Sequence, residues 1–168
     1  GDIPSLIRGS RHSVAVLSGQ ESLEEIKSLS RDIFTYSGLG CRNVSLIFAP
    51  QGFDFELYIP TLPQGFTNNY RHTKALRTMQ SLPFTDCNGA LVVEGEPEFP
   101  RHISQINICR YNNIEQVKEW LAEHDSRIQC VVSSINVHPR TVALGQAQYP
   151  TLNDYADNVD VMKFLLSL

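Results

Sequence analysis

The stretch HSVAVLSGQESLEEIKSLSRDIFTYSGLGCRNVSLIFAP, residues 12–50, decides the fold, because it carries a strand, helix, strand pattern. Residues 12–17 are apolar and rich in β-branched side chains, which is typical of a buried strand. Apolar side chains then recur at spacings of three and four, so residues 20–36 are predicted to form a helix with one apolar face. These side chains are Leu23, Ile26, Leu29 and Ile33. Residues 44–48 repeat the strand pattern.

The boundaries of this first helix are predicted from its flanking residues. Ser18 and Glu21 have the spacing of a capping box, in which the serine hydroxyl accepts from a first-turn N–H group. Gly38 is expected to stop the helix, because glycine readily takes the left-handed conformation that ends helices.

Outside that stretch the same two patterns recur along the chain. Strands are predicted over residues 88–94, 105–111 and 129–133. Helices are predicted over residues 69–80, with Leu76 and Met79 on one side, and from Asn112 as cap, with a stripe of Ile114, Val117, Trp120 and Leu121. The tail from Asp154 is predicted to be a last helix or a docking segment.

The alternation of strands and helices favours the α/β class, with a largely parallel sheet and flanking helices. No repeat or linker divides the 168 residues, so residues 1–168 are predicted to form a single domain.

Composition narrows the function classes. The net charge is -4 and lysines and arginines do not cluster, so nucleic acid is not an expected partner. The longest apolar runs are strand-sized, so no membrane span is expected. The chain begins with Gly1 and its first methionine is Met79, so a processed chain or part of a longer one is expected. Without a secretory signal, a cytoplasmic location is expected.

The four cysteines lack the spacing of metal ligands, and the five histidines do not pair, so neither a metal site nor a disulfide framework is predicted. Cys109 and Cys130 lie in strand patterns and are predicted to be core residues. Cys87 lies in a loop, which leaves it a candidate for exposure. His12, beside Arg8 and Arg11, either contacts an anionic ligand or belongs to a solvated basic patch.

Cys41 differs from the other cysteines because two glycines, Gly38 and Gly40, precede it between a helix and a strand. Glycines there give the backbone freedom and space, and nearby N–H groups are able to stabilise an oxyanion. Arg42 is a possible activator of the thiol. Two interpretations remain open from spacing alone: a nucleophile, or a free cysteine without a role.

The loop also resembles a known motif. The string Gly38-Leu39-Gly40-Cys41 resembles the nucleophile loop of aldehyde dehydrogenases, and Ser37-Gly38-Leu39-Gly40-Cys41-Arg42-Asn43-Val44-Ser45 more specifically resembles the long-chain acyl-CoA reductases. That family, part of the aldehyde dehydrogenase superfamily, includes the fatty-acid reductase of bacterial bioluminescence. Residues 8–17, 145–148 and 154–165 extend the resemblance to nearly the whole chain.

This resemblance implies an aldehyde-dehydrogenase-like catalytic half whose NAD(P)-binding half is absent from the chain. Cys41 would be the nucleophile that takes an acyl group as a thioester, with its own N–H in the oxyanion hole. Gly38 and Gly40 would give room to the acyl and nicotinamide groups. NADPH, bound mainly by the missing half, would then release a fatty aldehyde. The cofactor-binding residues of this half remain unknown, because residues 100–103 depart from the family pattern.

The partners that the resemblance implies are a long-chain acyl-CoA, an acyl-protein synthetase subunit, the missing N-terminal domain and a second copy of the chain. Cys41 is expected to face a cleft, with an exposed apolar surface on the missing-domain side. Two other functions remain open. The chain is alternatively a non-catalytic binding or interaction module of this fold, or part of an acylating aldehyde dehydrogenase for short substrates.

Overall fold

The computed structural model describes residues 4–62, 64–87 and 89–167. Seven strands form one sheet: β1 (His12–Val16), β2 (Val44–Pro50), β3 (Thr85–Asp86), β4 (Leu91–Glu94), β5 (Gln105–Tyr111), β6 (Ile128–Ser133) and β7 (Thr141–Val142). Their spatial order is β3-β4-β5-β2-β1-β6-β7, and every neighbouring pair is parallel except β3 with β4. The helices are α1 (Leu23–Phe34), α2 (Gln64–Met79), α3 (Ile114–Glu123) and α4 (Val161–Leu166). The predicted α/β class with a largely parallel sheet is confirmed.

Two apolar layers form because successive side chains of a strand point to opposite faces of the sheet. In β1, Val14 and Val16 pack in a cluster with Val117 and Leu121 of α3. Ala15, between them, packs in a second cluster with α1 and α2. β2 alternates in the same way. The central strands are therefore covered on both faces, as their nearly continuous apolar sequences require.

The start of α1 differs from the prediction. Ser22 is the cap: its hydroxyl accepts from the N–H of Glu25 at 3.3 Å, and the Glu25 carboxylate accepts from the Ser22 N–H at 2.8 Å. The predicted box was wrong because Gly19 has a φ of +87°, which no helical turn contains. The Glu21 carboxylate instead accepts from the N–H groups of Ser18 and Gly19 in the loop before the helix.

Other boundaries shift as well. Leu23 and Met79, expected on apolar faces, are 81% and 82% exposed. α2 begins at residue 64, and the side chains it buries are Phe66 and Thr73, which lie outside the pattern used to predict it. α3 is capped by Asn113, whose side chain accepts from the Glu115 N–H, one residue later than expected.

The remaining differences concern short elements. The strand predicted over residues 88–94 begins at residue 91, and the first of these residues, Asn88, lies outside the described part of the chain. The two-residue strands β3 and β7 were not predicted, since a pair of residues carries no periodicity. The tail contains the helix α4, so the first of its two alternatives, a last helix, is confirmed. No helix among the described residues is long and apolar enough to cross a membrane.

One edge of the sheet gathers the residues of interest. In parallel strands the amino ends share an edge, and here the starts of β1, β2, β5 and β6 lie together. β2 is the fourth of the seven strands, so the turn that precedes it lies at the middle of this amino edge. Cys41 lies in that turn, three residues before Val44.

Candidate active site

The turn that carries Cys41 begins with an unusual backbone. After α1, a single 3-10 turn covers Thr35–Gly38, and Tyr36, Ser37 and Gly38 have φ values of 54°, 60° and 68°. Left-handed backbone costs a non-glycine residue on the order of 1–3 kcal/mol, and it persists only where the surroundings enforce it. Such strain concentrates at functional sites, which makes this turn a candidate.

Asn43 enforces the turn. Its side-chain amide donates to the carbonyls of Ile33 at 3.1 Å and Thr35 at 2.8 Å, at the point where α1 ends. Its side-chain oxygen accepts from the N–H of Gly40 at 2.8 Å. Because Asn43 is only 4% exposed, these bonds are shielded from water. One buried side chain therefore ties the end of the helix to the residue before Cys41.

The two glycines fit this geometry closely. A Cβ atom on Gly40 would lie 2.9 Å from the side-chain oxygen of Asn43. A Cβ atom on Gly38 would lie 3.2 Å from the Phe66 ring, and its φ of +68° already disfavours a side chain. Both glycines are thus needed for the backbone to pass its neighbours. Their predicted role in leaving room for a substrate stays a prediction.

Cys41 is exposed at the surface of the turn. Its carbonyl is fixed, because the Ser13 hydroxyl donates to it at 2.9 Å. Within the part of the chain that the structure describes, its own N–H has no acceptor. An exposed thiol next to a free N–H is the arrangement that an acyl-transfer nucleophile needs, since the N–H is available to an oxyanion.

The other three thiols have different surroundings. Cys130 is 2% exposed, as predicted, and burial raises the pKa of its thiol, which contacts the Ser13 hydroxyl at 3.1 Å. Burial also raises the pKa of the Cys87 and Cys109 thiols. Cys109, predicted to be a core residue, is half-buried at the margin of the α3 cluster. Cys41 is the exposed one of the four thiols.

A cleft of about 210 Å³ opens beside the turn at the amino edge of the sheet. Gly38, His12 and Ser45 line it, together with Phe66 and residues 100–106. Cys41 and Gly40 are not among its lining residues. The cleft therefore adjoins the turn that carries Cys41 through Gly38, but Cys41, which was expected to face a cleft, does not line this one.

Arg42 and Asp32 fasten a distant segment to this turn. The Arg42 guanidinium donates to the carbonyl of Ala147 at 2.5 Å. Asp32, fully buried in α1, accepts from the N–H groups of Gly145 at 2.5 Å and Ala147 at 2.9 Å. Burial raises the pKa of Asp32 to about 6, against the opposing effect of these two hydrogen bonds. The sequence analysis missed Asp32, although a carboxylate one residue before Ile33 on the apolar side of a helix was a signal.

Of the two interpretations of His12, the solvated basic patch with Arg8 and Arg11 is not what the structure shows. Arg8 and Arg11 both pair with Asp157, at 3.1 and 3.6 Å. His12 stacks on Phe99 with ring centroids 4.4 Å apart. Burial, and next the charge of Arg127, lower the pKa of His12. Among the described residues, no three His, Cys, Asp or Glu side chains are grouped as metal ligands.

Comparisons with solved structures place the fold. The chain is similar to an oxidoreductase from Marinobacter aquaeolei, with a TM-score of 0.51 at 12% identity over 85% of this chain and 40% of that one. It is also similar to a Δ-pyrroline-5-carboxylate dehydrogenase from Mycobacterium tuberculosis, with a TM-score of 0.49 at 15% identity over 76% of this chain and 30% of that one. The chain is similar as well to an indole-3-acetaldehyde dehydrogenase, with a TM-score of 0.46 at 9% identity over 83% of this chain and 35% of that one.

The similarity to the Marinobacter protein concerns the fold. The chain spans 40% or less of the length of each of these three proteins. No family model and no curated protein matches the sequence.

Proposed function

We propose that this chain is the thioester-forming domain of an NADPH-dependent reductase that converts long-chain acyl-CoA, or an acyl group delivered by a partner protein, to a fatty aldehyde. One observation carries the proposal. Cys41, the cysteine of the string that resembles the acyl-CoA reductases, is an exposed thiol shortly after the strained turn Thr35–Gly38, and its N–H is unpaired among the described residues. The similarity of the fold to an oxidoreductase agrees with this class of chemistry.

The reaction begins at Cys41. Its thiolate attacks the carbonyl carbon of the acyl-CoA thioester, and the oxygen takes the negative charge. The Cys41 N–H donates to that oxygen, which lowers the energy of the tetrahedral intermediate. The carbon–sulfur bond to CoA then breaks, CoA leaves as a thiolate that takes up a proton, and the acyl group remains on Cys41 as a thioester.

Reduction completes the cycle. NADPH supplies a hydride when it is bound, mainly by a further domain in our proposal. The acyl carbon accepts the hydride, the bond to Cys41 breaks, and the aldehyde leaves with the thiolate restored. The balance is acyl-CoA, NADPH and a proton giving aldehyde, NADP⁺ and CoA. Two side chains beside the turn, Tyr36 and Leu39, are 73% and 64% exposed, which suits a face that a further domain covers.

Intact-mass spectrometry after incubation with tetradecanoyl-CoA tests the first step. The wild-type chain is expected to gain one tetradecanoyl group that hydroxylamine removes. Cys41→Ser should gain none that hydroxylamine removes, whereas Cys87→Ser and Cys109→Ser, which change partly accessible thiols elsewhere, should acylate as the wild type does. The same incubation with a short-chain acyl-CoA tests the alternative that the chain belongs to an acylating aldehyde dehydrogenase for short substrates.

Two outcomes would contradict this expectation. One is acylation of Cys87 or Cys109, and the other is no acylation of Cys41 even when an NAD(P)-binding domain is added to the chain. Either would remove Cys41 from the nucleophile role and leave the non-catalytic binding module as the better account. NADPH-dependent aldehyde production by this chain alone would overturn the assignment of NADPH to a further domain.

A further inference from the structure

A second groove lies next to the cleft and takes no part in the chemistry above. It measures about 480 Å³, and its lining includes His12, Phe99, Trp120, His124 and Arg127. Arg101 stands at the same groove. These residues form the aromatic–cationic groove. It runs from the amino end of β1 to the carboxyl end of α3.

Stacking orders the floor of the groove. The Arg127 guanidinium lies 4.8 Å from the centroid of Phe99, whose ring also stacks on His12. The Trp120 and His124 rings are stacked, with centroids 4.1 Å apart and planes 13° from parallel. Phe99 and Trp120 are 5.4 Å apart, so the two stacks touch. Phe99 is 8% exposed and has His12 and Arg127 against it, so the ring surfaces left for a planar ligand are those of the half-buried Trp120 and His124. Stacking holds these two rings in place, so they lose little entropy on binding.

The lining of the groove carries a surplus of positive charge, with two arginines against one carboxylate. Arg101 and Arg127 are exposed, and neither forms an ion pair with any residue in the described ranges. Glu98 is the one carboxylate among the lining residues. The chain as a whole is acidic, with a net charge of -4, so a local surplus of cations stands out. Such a surplus attracts an anionic ligand.

His124 adds a directed donor or acceptor. Its Nδ1 is 2.9 Å from the carbonyl of Trp120. A carbonyl only accepts, so Nδ1 carries the proton and donates. Nε2 is then left for a ligand: it accepts from a donor group when the ring is neutral, and donates to a phosphate oxygen when the ring is protonated.

The groove is continuous with the cleft beside the turn that carries Cys41. His12, Pro100 and Arg101 line both. A ligand with a long flexible arm is therefore able to place one end in the groove and extend the other past Gly38 toward the turn.

We propose that the aromatic–cationic groove binds the phosphorylated adenosine end of a coenzyme, with the base against the stacked rings and the phosphates against Arg101 and Arg127. Two coenzymes carry this group: CoA, with a phosphate on the 3′ position of its ADP unit, and NADPH, with one on the 2′ position. Where the ligand is CoA, the inference rests on the proposed function and gives the acyl-CoA its recognition site. The groove itself stands on its own geometry.

Trp120 reports directly on binding, because it is the single tryptophan of the chain. Its fluorescence is followed during titration with adenosine 3′,5′-bisphosphate, adenosine 2′,5′-bisphosphate, adenosine and inorganic phosphate. We expect a saturable change with at least one bisphosphate, at a dissociation constant at least about tenfold below those of adenosine and phosphate. Preference for the 3′,5′ isomer identifies CoA as the source, and preference for the 2′,5′ isomer identifies NADPH.

Arg127→Gln and Arg101→Gln should each weaken binding at least about tenfold. Arg71→Gln makes the same change of charge at an exposed position of α2 and should bind as the wild type does. Isothermal titration of each variant repeats the measurement without relying on the tryptophan. Absence of saturable binding by either bisphosphate, or equal losses in all three variants, would overturn the proposal.

Cys41→Ser separates this proposal from the proposed function. Bisphosphate binding should be unchanged in that variant, because the groove does not include Cys41. Binding without any acylation of the wild type would retain the groove and remove the thioester function. Acylation without bisphosphate binding would do the reverse.

Discussion

The side-chain oxygen of Asn43 accepts a hydrogen bond of 2.8 Å from the backbone N–H of Gly40. This bond closes a loop of backbone around Cys41, because the Asn43 N–H in turn donates to the Gly40 carbonyl at 3.0 Å. Two reciprocal bonds across three residues leave Cys41 little freedom. The position of the thiol is therefore set by a buried amide that never touches it.

Replacing Asn43 with alanine should lower the free energy of unfolding by about 2–3 kcal/mol, because buried carbonyls at the end of α1 and the Gly40 N–H lose their partner. Urea unfolding followed by circular dichroism measures it. Asn112→Ala, at an exposed position, is the matched control and should stay within about 0.5 kcal/mol of wild type. A loss below 0.5 kcal/mol for Asn43→Ala would contradict the anchoring role.

Gly40→Ala tests the same contact from the other side. The added Cβ would meet the Asn43 oxygen at 2.9 Å, so we expect a loss of about 1–2 kcal/mol. Gly65→Ala is the control, since nothing lies within 4 Å of its Cβ and it stands in α2, where alanine is the better residue by about 0.5–1 kcal/mol. Thermal unfolding should therefore show a lower melting temperature for Gly40→Ala and a higher one for Gly65→Ala. A change in the same direction for both variants would contradict the proposed contact.

Thiol labelling should follow burial. Cys41 is expected to react with iodoacetamide at least about tenfold faster than Cys130, whose thiol is buried and has a raised pKa, so that its labelling requires local opening. Peptide mapping by mass spectrometry at successive times gives both rates in one sample. In Asn43→Ala the labelling rate of Cys41 should change, but Cys41 should still react faster than Cys130. Faster labelling of Cys130 would contradict the placement of both residues.

The centre of the sheet was predictable because its strands β1 and β2 carry short apolar segments. Residues 13–17 and 44–48 are buried apart from Ser45, and such segments are typical of strands covered on both faces. β5 and β6 also carry polar side chains, and Gln105, Asn107 and Gln129 are buried with the apolar ones. Helix faces were harder. Leu23 follows the apolar spacing of α1 but lies in its first turn, beyond the area that the sheet covers, and so it is exposed.

The candidate site was predictable only at Cys41 and its glycines, because they form one local string. Asn43 lies in the same string, yet its role depends on carbonyls that point at it only after α1 has formed. Asp32 and Ala147 are 115 residues apart and meet through tertiary packing. The groove that joins His12 to Arg127 is likewise a product of the strand order, which brings β1 beside β6.

Asp32 should give the protein a distinctive dependence of stability on pH. Its pKa is about 6 in the folded chain and near 3.8 when unfolded, so the folded state holds the proton more tightly. Stability from this group is then fully present at low pH and falls as pH rises from about 4 to 6, by about 2–3 kcal/mol at 1.36 kcal/mol per pKa unit. Above the folded-state pKa the loss is complete.

Asp32→Asn isolates this contribution. An amide accepts through one oxygen only, so one of the two N–H groups from Gly145 and Ala147 loses its acceptor, and the variant should be less stable at pH 4 by about 1–3 kcal/mol. The difference from wild type should shrink toward pH 7, where the wild type carries a buried charge. Urea unfolding at pH 4, 5, 6 and 7 measures it. Asp54→Asn, which removes an exposed charge, should keep the wild-type slope, and a constant difference between Asp32→Asn and wild type across that range would show that Asp32 does not titrate with a raised pKa.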